Sequence, residues 1–377
     1  MKRWKLAAIA ALATVAVCLA VTFAVDGISG GDSVDALTLW YTQGDCSAER
    51  LDKMKKAYHR HGLFGGGEDG GIAIRCFENE EELAEAFNAS APDLLLCSYA
   101  RAAGLYERGL LSEEELESFS VSADMAEAAP LSGIAFFPLG SRVQLLVMNN
   151  ELCADAQLDK SFESLEELTE KAREYTAETG RAFLSAQSYA GMIGAEMCSL
   201  GAELTGDISR DSKSRDFVYI YNLLAECGYE DAILALGSRS ADYVQAGLLP
   251  AACVSSSKLP ELSMAALSAI ALPTPEKGEK RCPAELLGFS VTGADANKKT
   301  RAAAFLEWLS ASGEDVRLAV GSGLVPAGNI DGRAAVRWAA LFTELARDYE
   351  MVYLDRDGER SWADFDASFS QTLDLLR

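Results

Sequence analysis

A chain of 377 residues has room for about two or three domains of ordinary size. Apolar residues make up 49% and charged residues 24%, which supports a sizeable core and makes disorder no default expectation. With 34 Lys and Arg against 57 Asp and Glu, the net charge is −23. Such acidity repels nucleic acid and anionic lipid, and no basic patch offsets it.

Lys2, Arg3 and Lys5 precede an apolar run from Leu6 to Val25, interrupted only by Thr14, Cys18 and Thr22. Positive charge ahead of the run gives a cytoplasmic N-terminus, and twenty residues are enough to cross a bilayer. Three outcomes stay open: an uncleaved anchor, a cleaved signal, or a lipoprotein at Cys18. In each, the body from about Ala36 lies outside the cytoplasm, tethered to the outer face of the membrane or secreted. Eight of the nine cysteines follow the leader. An even number there permits disulfides, and several apolar contexts equally suit buried free thiols. Their spacing gives no CxxC and no zinc framework.

Ala36 to Tyr41 alternates and is β-prone. The loop Thr42–Asp45 follows, and then a helix over Ala48–Arg60 behind Ser47. A glycine-rich loop from Gly62 to Gly71 leads to a strand, Ile72–Phe77, and a helix, Glu80–Asn88. Leu94–Cys97 is a continuous apolar run of the buried parallel type. Helices are expected over 102–107 and 113–117. This β-α-β-α-β order implies a parallel sheet covered on both faces, with ligands beyond the carboxyl ends of its strands. Trp40, Tyr41, Gln43, Asp45, Ser98 and Tyr99 fall there.

The stretch from Pro130 to Leu152 joins this unit to a second one. A Ser132–Gly133 turn opens it, and two apolar runs, Ile134–Phe137 and Val143–Met148, are split by Pro138–Gly140. It reads as a crossover between two lobes. In the second lobe helices are expected over 159–175, 188–200, 213–227 and 240–247. Strands are expected over 182–184, 248–254, 267–272 and 286–291. Amphipathic segments over 300–310 and 314–320, the turn-rich loop Gly321–Pro326, and helices over 334–349 and 362–376 complete the chain.

Five segments, in this order, resemble the type 1 extracellular solute-binding proteins of bacterial ABC importers. They are LTLWYTQGD, APDLLLCSYA, FFPLGSRVQLLVMNNEL running into SFESLEELTEKAREY, GFSVTGADANKKTRAAAFLEWL, and GSGLVP. Together they cover most of Leu37 to Ala327. The resemblance implies a two-lobed α/β fold of the periplasmic-binding-protein type II, closing on a small solute by a hinge. It implies lobe 1 at 36–137 with a return at 286–332. Lobe 2 is at 138–285, with the C-terminal helices at 333–377 packed on the lobes, and 1–35 is leader and linker. It also implies delivery to a membrane permease by a monomer without cofactor or catalysis. A cleft between lobes buries most of a ligand's surface, and closure is favourable when the ligand touches both lobes only in the closed state.

Each candidate site residue has an ordinary alternative. Trp40 and Tyr41 can stack on a sugar ring, although alternation turns one of them into the core. Asp45 can accept from hydroxyls, or be a solvated loop carboxylate. Ser98 and Tyr99 follow a strand and can simply cap it. Ser141 and Arg142 lie beside the hinge, where Arg142 can clamp a carboxylate, bond hydroxyls or join the lobes by an ion pair. Tyr189 begins a helix, and Ser256 and Ser257 follow a strand. Carbohydrate is the leading ligand class. A peptide, a polyamine, and a membrane-anchored sensor on the same scaffold are alternatives.

Other motifs are read as coincidental. Ser255–Lys258 matches S-x-x-K but lacks the K-T-G and S-D-N companions of a serine hydrolase. His59 and His61, the only histidines, need further ligands to hold a metal. In Asp355–Gly358 the first calcium-ligating position is Tyr353, so a tight turn is expected. Asn88–Ser90 is a formal glycosylation sequon. Gly65–Gly67 precedes a strand, whereas a phosphate-binding loop follows one.

Overall fold

The computed structural model describes residues 36–65, 71–109, 111, 136–155, 162–202, 204–205, 207–262, 266–274, 278–292, 296–328, 338–353 and 356–376. The apolar leader, the expected turn at 132–133, the expected helix at 113–117 and Asp355 lie outside the described residues. No helix among those described is long and apolar enough to cross a membrane.

The first unit forms as its pattern requires. Strands β1 (Leu37–Thr42), β2 (Ile72–Phe77) and β3 (Leu94–Ser98) are parallel, with β1 in the middle. Helix α1 (Ala48–Gly65) connects the first pair and α2 (Glu80–Ala89) the second. The Asn79 side chain caps α2 by accepting from Glu82 N–H, one of the donors a helix start leaves unpaired. Ser98 caps α3 (Tyr99–Glu107) in the same way.

Strand β4 (Phe136–Asn149) is one 14-residue strand where two runs were expected. Up to Val143 it pairs antiparallel with β9 (Arg281–Val291), and from Gln144 with β7 (Ala251–Ser255). It also pairs with β8 (Leu267–Ala271) from Leu145. The interruption at Pro138–Gly140 is a bulge: Pro138 faces Gly288, Gly140 faces Leu287, and Leu139 is the extra residue. Proline cannot donate to the ladder, and the bulge absorbs that gap without ending the strand. Gly140 has no Cβ, which admits β10 (Val325–Pro326); an added Cβ would lie 2.6 Å from Val325 O.

The second half repeats the parallel arrangement with β7, β5 (Leu184–Ala186) and β6 (Ile233–Ala235). Between them run α4 (Asn150–Asp155), α5 (Leu165–Thr179), α6 (Tyr189–Ser199), α7 (Ile208–Asp211), α8 (Arg215–Tyr229) and α9 (Ser240–Gln245). Helix α5 passes the expected end at Tyr175 and stops where Gly180 takes φ 67°, the left-handed residue that closes many helices. The chain ends with α10 (Ala296–Ser312), α11 (Glu314–Gly321), α12 (Ala339–Asp348), β11 (Glu350–Tyr353) and α13 (Arg356–Leu376). The expected turn around Arg356–Gly358 is instead the first turn of α13.

Strand β3 pairs with β9, so one ladder runs β2-β1-β3-β9-β4-β7-β5-β6 through both halves. Each half has apolar clusters on both faces. Leu39, Leu96, Phe289 and Phe305 mark one in the first half, and Trp40, Phe77, Phe87 and Leu95 the other. Leu146, Phe183, Ile193 and Ile220 mark one in the second half, and Leu145, Val147, Val254 and Phe342 the other. Burying apolar surface at about 25 cal/mol per Å² makes these four clusters the main source of stability.

Candidate functional site

The carboxyl ends of β1 and β7 converge beside β4. A cavity of about 790 Å³ opens there, lined by Tyr41, Gln43 and Gly44 from the end of β1 and by Ser257 and Lys258 after β7. Cys46, Arg50, Ser322 and Trp338 also line it. A second cavity, of about 350 Å³, is lined by Arg142 and Gln144 on β4, Glu285 on β9, Ser188 at the start of α6, and Trp362 and Asp366 on α13.

Arg142 stands between the two. One guanidinium nitrogen donates to Gly44 O at 2.7 Å, and the other meets Glu285 Oε2 at 2.6 Å. Gly44 lines the larger cavity and Arg142 the smaller, so this single side chain links the walls of the two cavities. Its Nε is buried and has no partner.

The ten residues singled out from sequence are placed differently from one another. Tyr41 and Ser257 line the larger chamber and Arg142 the smaller. Trp40 lines neither: it is buried, its ring 5.0 Å from that of Phe77 and capped by the Arg75 guanidinium. Asp45 is buried 3.5 Å from Arg101 Nη1 and accepts from the Thr42 hydroxyl and from Thr42 N–H. Burial pushes the Asp45 carboxyl up, against the pull of Arg101 and the Thr42 bonds. Those bonds hold the β1–α1 turn closed, and Arg101 also pairs with Glu80. Ser98 caps α3, and the half-buried Tyr99 ring packs edge-on against Phe136. Ser141 is fully buried, its Oγ 2.7 Å from Tyr353 OH. Tyr189 is buried and donates to Ile233 O at 3.2 Å. Ser256 is buried and accepts from Val143 N–H at 3.2 Å, which ties the chain after β7 to β4.

Sequence reasoning missed Gln144, Glu285, Trp362 and Asp366. Gln144 follows Arg142 by two positions and so shares its face of β4; that period was a usable signal. Nothing in the sequence aims α13 at the start of α6. The remaining motifs resolve into ordinary geometry. Ser255 Oγ bonds Ser257 Oγ at 2.9 Å, while Lys258 turns to Glu261 at 3.1 Å. His59 and His61 are exposed on α1. Among the described residues no three His, Cys, Asp or Glu are grouped to hold a metal ion, and all eight cysteines are free thiols.

No protein-family model matches the chain, and no curated protein matches it either. Solved structures do. The GacH receptor of Streptomyces glaucescens, solved unliganded and with acarbose, superposes with a TM-score of 0.71 at 15% identity, over 91% of this chain and 94% of that one. An ABC substrate-binding protein of Listeria monocytogenes in complex with cycloalternan gives 0.72 at 12% identity, over 91% and 94%. UgpB of Mycobacterium tuberculosis in complex with glycerophosphocholine gives 0.71 at 14% identity, over 90% and 96%. The ladder shared by two α/β halves, the cavities at their strand ends and these superpositions over about nine-tenths of the chain give it the two-lobed fold of the type II periplasmic binding proteins.

Proposed function

We propose that the protein is the extracytoplasmic solute-binding component of an ABC import system, and that it captures a carbohydrate in the cleft whose two cavities Arg142 links. The observation that carries this reading is the position of the cleft. Its walls come from the end of β1, from the chain after β7 and from the two strands that run through both halves. A solute held in the larger chamber touches both lobes at once, which is the condition for ligand-driven closure. Tyr41, Ser257 and Arg142 would contact it. The wall chemistry favours a polyhydroxylated solute: Gln43, Ser257, Gln144 and Ser188 stand in the same walls as Tyr41, Trp338 and Trp362. Acarbose and cycloalternan, the saccharides in two of the superposed structures, support that class.

The lobes of this reading are 36–137 with 286–332, and 138–285, with the C-terminal helices packed across them. The leader tethers or exports the protein, and a permease receives the solute.

A thermal-shift screen of the protein against oligosaccharides, amino acids, peptides and polyamines tests the proposal. A ligand that binds only the folded state stabilises it by about 2.7 kcal/mol at a hundredfold excess over Kd. A saturable shift with saccharides is expected. A shift confined to polyamines or peptides keeps the solute-binding role and removes the carbohydrate. No shift in any class removes the role.

A further inference from the structure

We propose that Arg50 receives an acidic group of the solute, so that the larger chamber selects a carboxylate- or phosphate-bearing saccharide over its neutral counterpart. This rests on the solute-binding reading and narrows its substrate class.

Four charged side chains line this chamber: Glu49 and Arg50 in the first turn of α1, and Lys258 and Glu261 after β7. Lysines answer both carboxylates. Lys53 pairs with Glu49, and Lys258 with Glu261 at 3.1 Å. Neighbouring positions on a helix do not face each other, and Lys53 rather than Arg50 is the main partner of Glu49. Arg50 is the cation left over. Among the described residues it has no hydrogen bond and no ion pair. It is only half-buried, and its guanidinium nitrogens keep accessible surface.

The side chain is nevertheless held in place. Its stem lies on Gly321, the last residue of α11. A Cβ added there would come within 2.6 Å of Arg50 Nε and 2.7 Å of its Cδ, so the missing side chain is the space that Arg50 occupies. Capping does not explain the contact. The carbonyls of Leu318, Ala319 and Val320 at the end of α11 already accept from the N–H groups of Ser322, Gly323 and Leu324. A guanidinium fixed by packing has less freedom to lose when an acceptor arrives. Its planar fork matches a carboxylate or a phosphate through two parallel N–H bonds.

The rest of the chamber acts in the same direction. The N-terminal end of α1 carries partial positive charge. Lys258 brings a second cation from the other half of the molecule, and its partner Glu261 is 68% exposed. An exposed pair of this kind is weak, so an acidic group can share Lys258 with it. A neutral saccharide leaves Arg50 without a partner, and a polyamine meets it as a like charge.

Calorimetric titration of the protein and of R50A, R50K and G321A tests the proposal. The probes are oligouronates and sugar phosphates, each beside its neutral counterpart (the methyl ester or the free sugar), and inorganic phosphate. In the unmodified protein the tightest acidic probe should bind at least about tenfold more tightly than its counterpart, the scale of one hydrogen bond to a charged group. R50A should bring that ratio close to unity. R50K keeps the charge without the fork and should fall between the two. G321A should lower the ratio as well, because it displaces the stem while the guanidinium remains. A preference confined to the uronates or to the sugar phosphates names the acidic group. Neutral probes bound as tightly as acidic ones overturn the proposal and leave the solute-binding reading standing. An acidic preference that persists in R50A also overturns it. A protein silent to every saccharide that still binds inorganic phosphate, and loses it in R50A, sinks the carbohydrate reading and leaves the Arg50 site standing. Silence towards every probe removes both.

Discussion

At Trp40 and Tyr41 the strand period assigns two neighbouring aromatics to opposite faces. Trp40 joins the cluster with Phe77 and Leu95, while Tyr41 joins the one with Leu39 and Leu96 and ends at the larger chamber. Both faces of this parallel sheet are covered by helices, so hydropathy alone gave no sign of which ring ended at the cleft. Trp40→Ala should therefore cost roughly 3–5 kcal/mol of stability and leave ligand affinity unchanged, as read by urea denaturation and titration. Lost affinity in a fully folded variant would return Trp40 to the site. The places of Arg142 and Ser257 on the cavity walls were legible because Ser257 follows the end of β7 and Arg142 follows the Pro138–Gly140 interruption of β4. Trp362 and Asp366 were not, because their place at the cleft depends on how a C-terminal helix packs against α6. Glu196 makes a pH argument at the same scale. Burial raises its carboxyl to about 7, against 4.5 for an ordinary glutamate. The folded state thus keeps a proton that the unfolded chain releases. The stabilisation is complete below about pH 4.5 and is lost as pH rises through about 7. At about 1.4 kcal/mol per pH unit, Glu196 withholds roughly 3–3.5 kcal/mol in alkali. Glu196→Gln should raise Tm above about pH 8 and leave it nearly unchanged below about pH 4.5. Parallel pH profiles for the two proteins would rule Glu196 out as the source.

Among the elements, those with strong periodicity or continuous apolar runs were readable. Strands β1, β2, β3 and β8 and helices α1, α2 and α8 stand within a few residues of expectation. The short strands β6 and β11, of three and four residues, escaped notice. Their backbones are fixed by neighbours distant in sequence, Leu184–Ala186 for β6 and Arg281–Ala284 for β11, so local pattern carries little of the information. The β4–β9 pair makes the same point more sharply. Gly288 is extended backbone without a special φ, and its conservation of space is invisible in the sequence. An added Cβ would lie 2.2 Å from Phe137 O and 2.7 Å from the Phe136 ring. Backbone cannot yield as a side-chain end can. Gly288→Ala should therefore destabilise by about 1–3 kcal/mol or more through overpacking. It should also disturb the bulge at Pro138–Gly140, which hydrogen exchange at Leu287 and Phe289 would read. Wild-type stability and exchange would mean that the two strands separate at no cost.

Over the whole molecule, the large negative charge and the cleft act at different distances. Surface charge is screened beyond about 10 Å at ordinary ionic strength, so the net charge of −23 sets solubility rather than what enters the cleft. Inside the cleft the governing contact is the one from Arg142 to Gly44 O and Glu285. It ties the loop after β1 to the two strands that run through both halves. On the proposed role, that contact would favour a closed cleft before any ligand arrives, because it joins the β1 loop to β4 by charge-assisted bonds. A hydrogen bond to a charged group is worth about 1.5–3 kcal/mol, which converts to roughly ten- to a hundredfold in an equilibrium. Arg142→Ala should shift the unliganded protein toward a more open form by that factor. Small-angle scattering should then record a larger radius of gyration without ligand and its recovery at saturation. Ligand affinity should fall by a similar factor, since binding must then supply the closure that Arg142 provided. An unchanged radius with weakened binding would make Arg142 a ligand contact only. An unchanged radius with unchanged affinity would remove it from both roles.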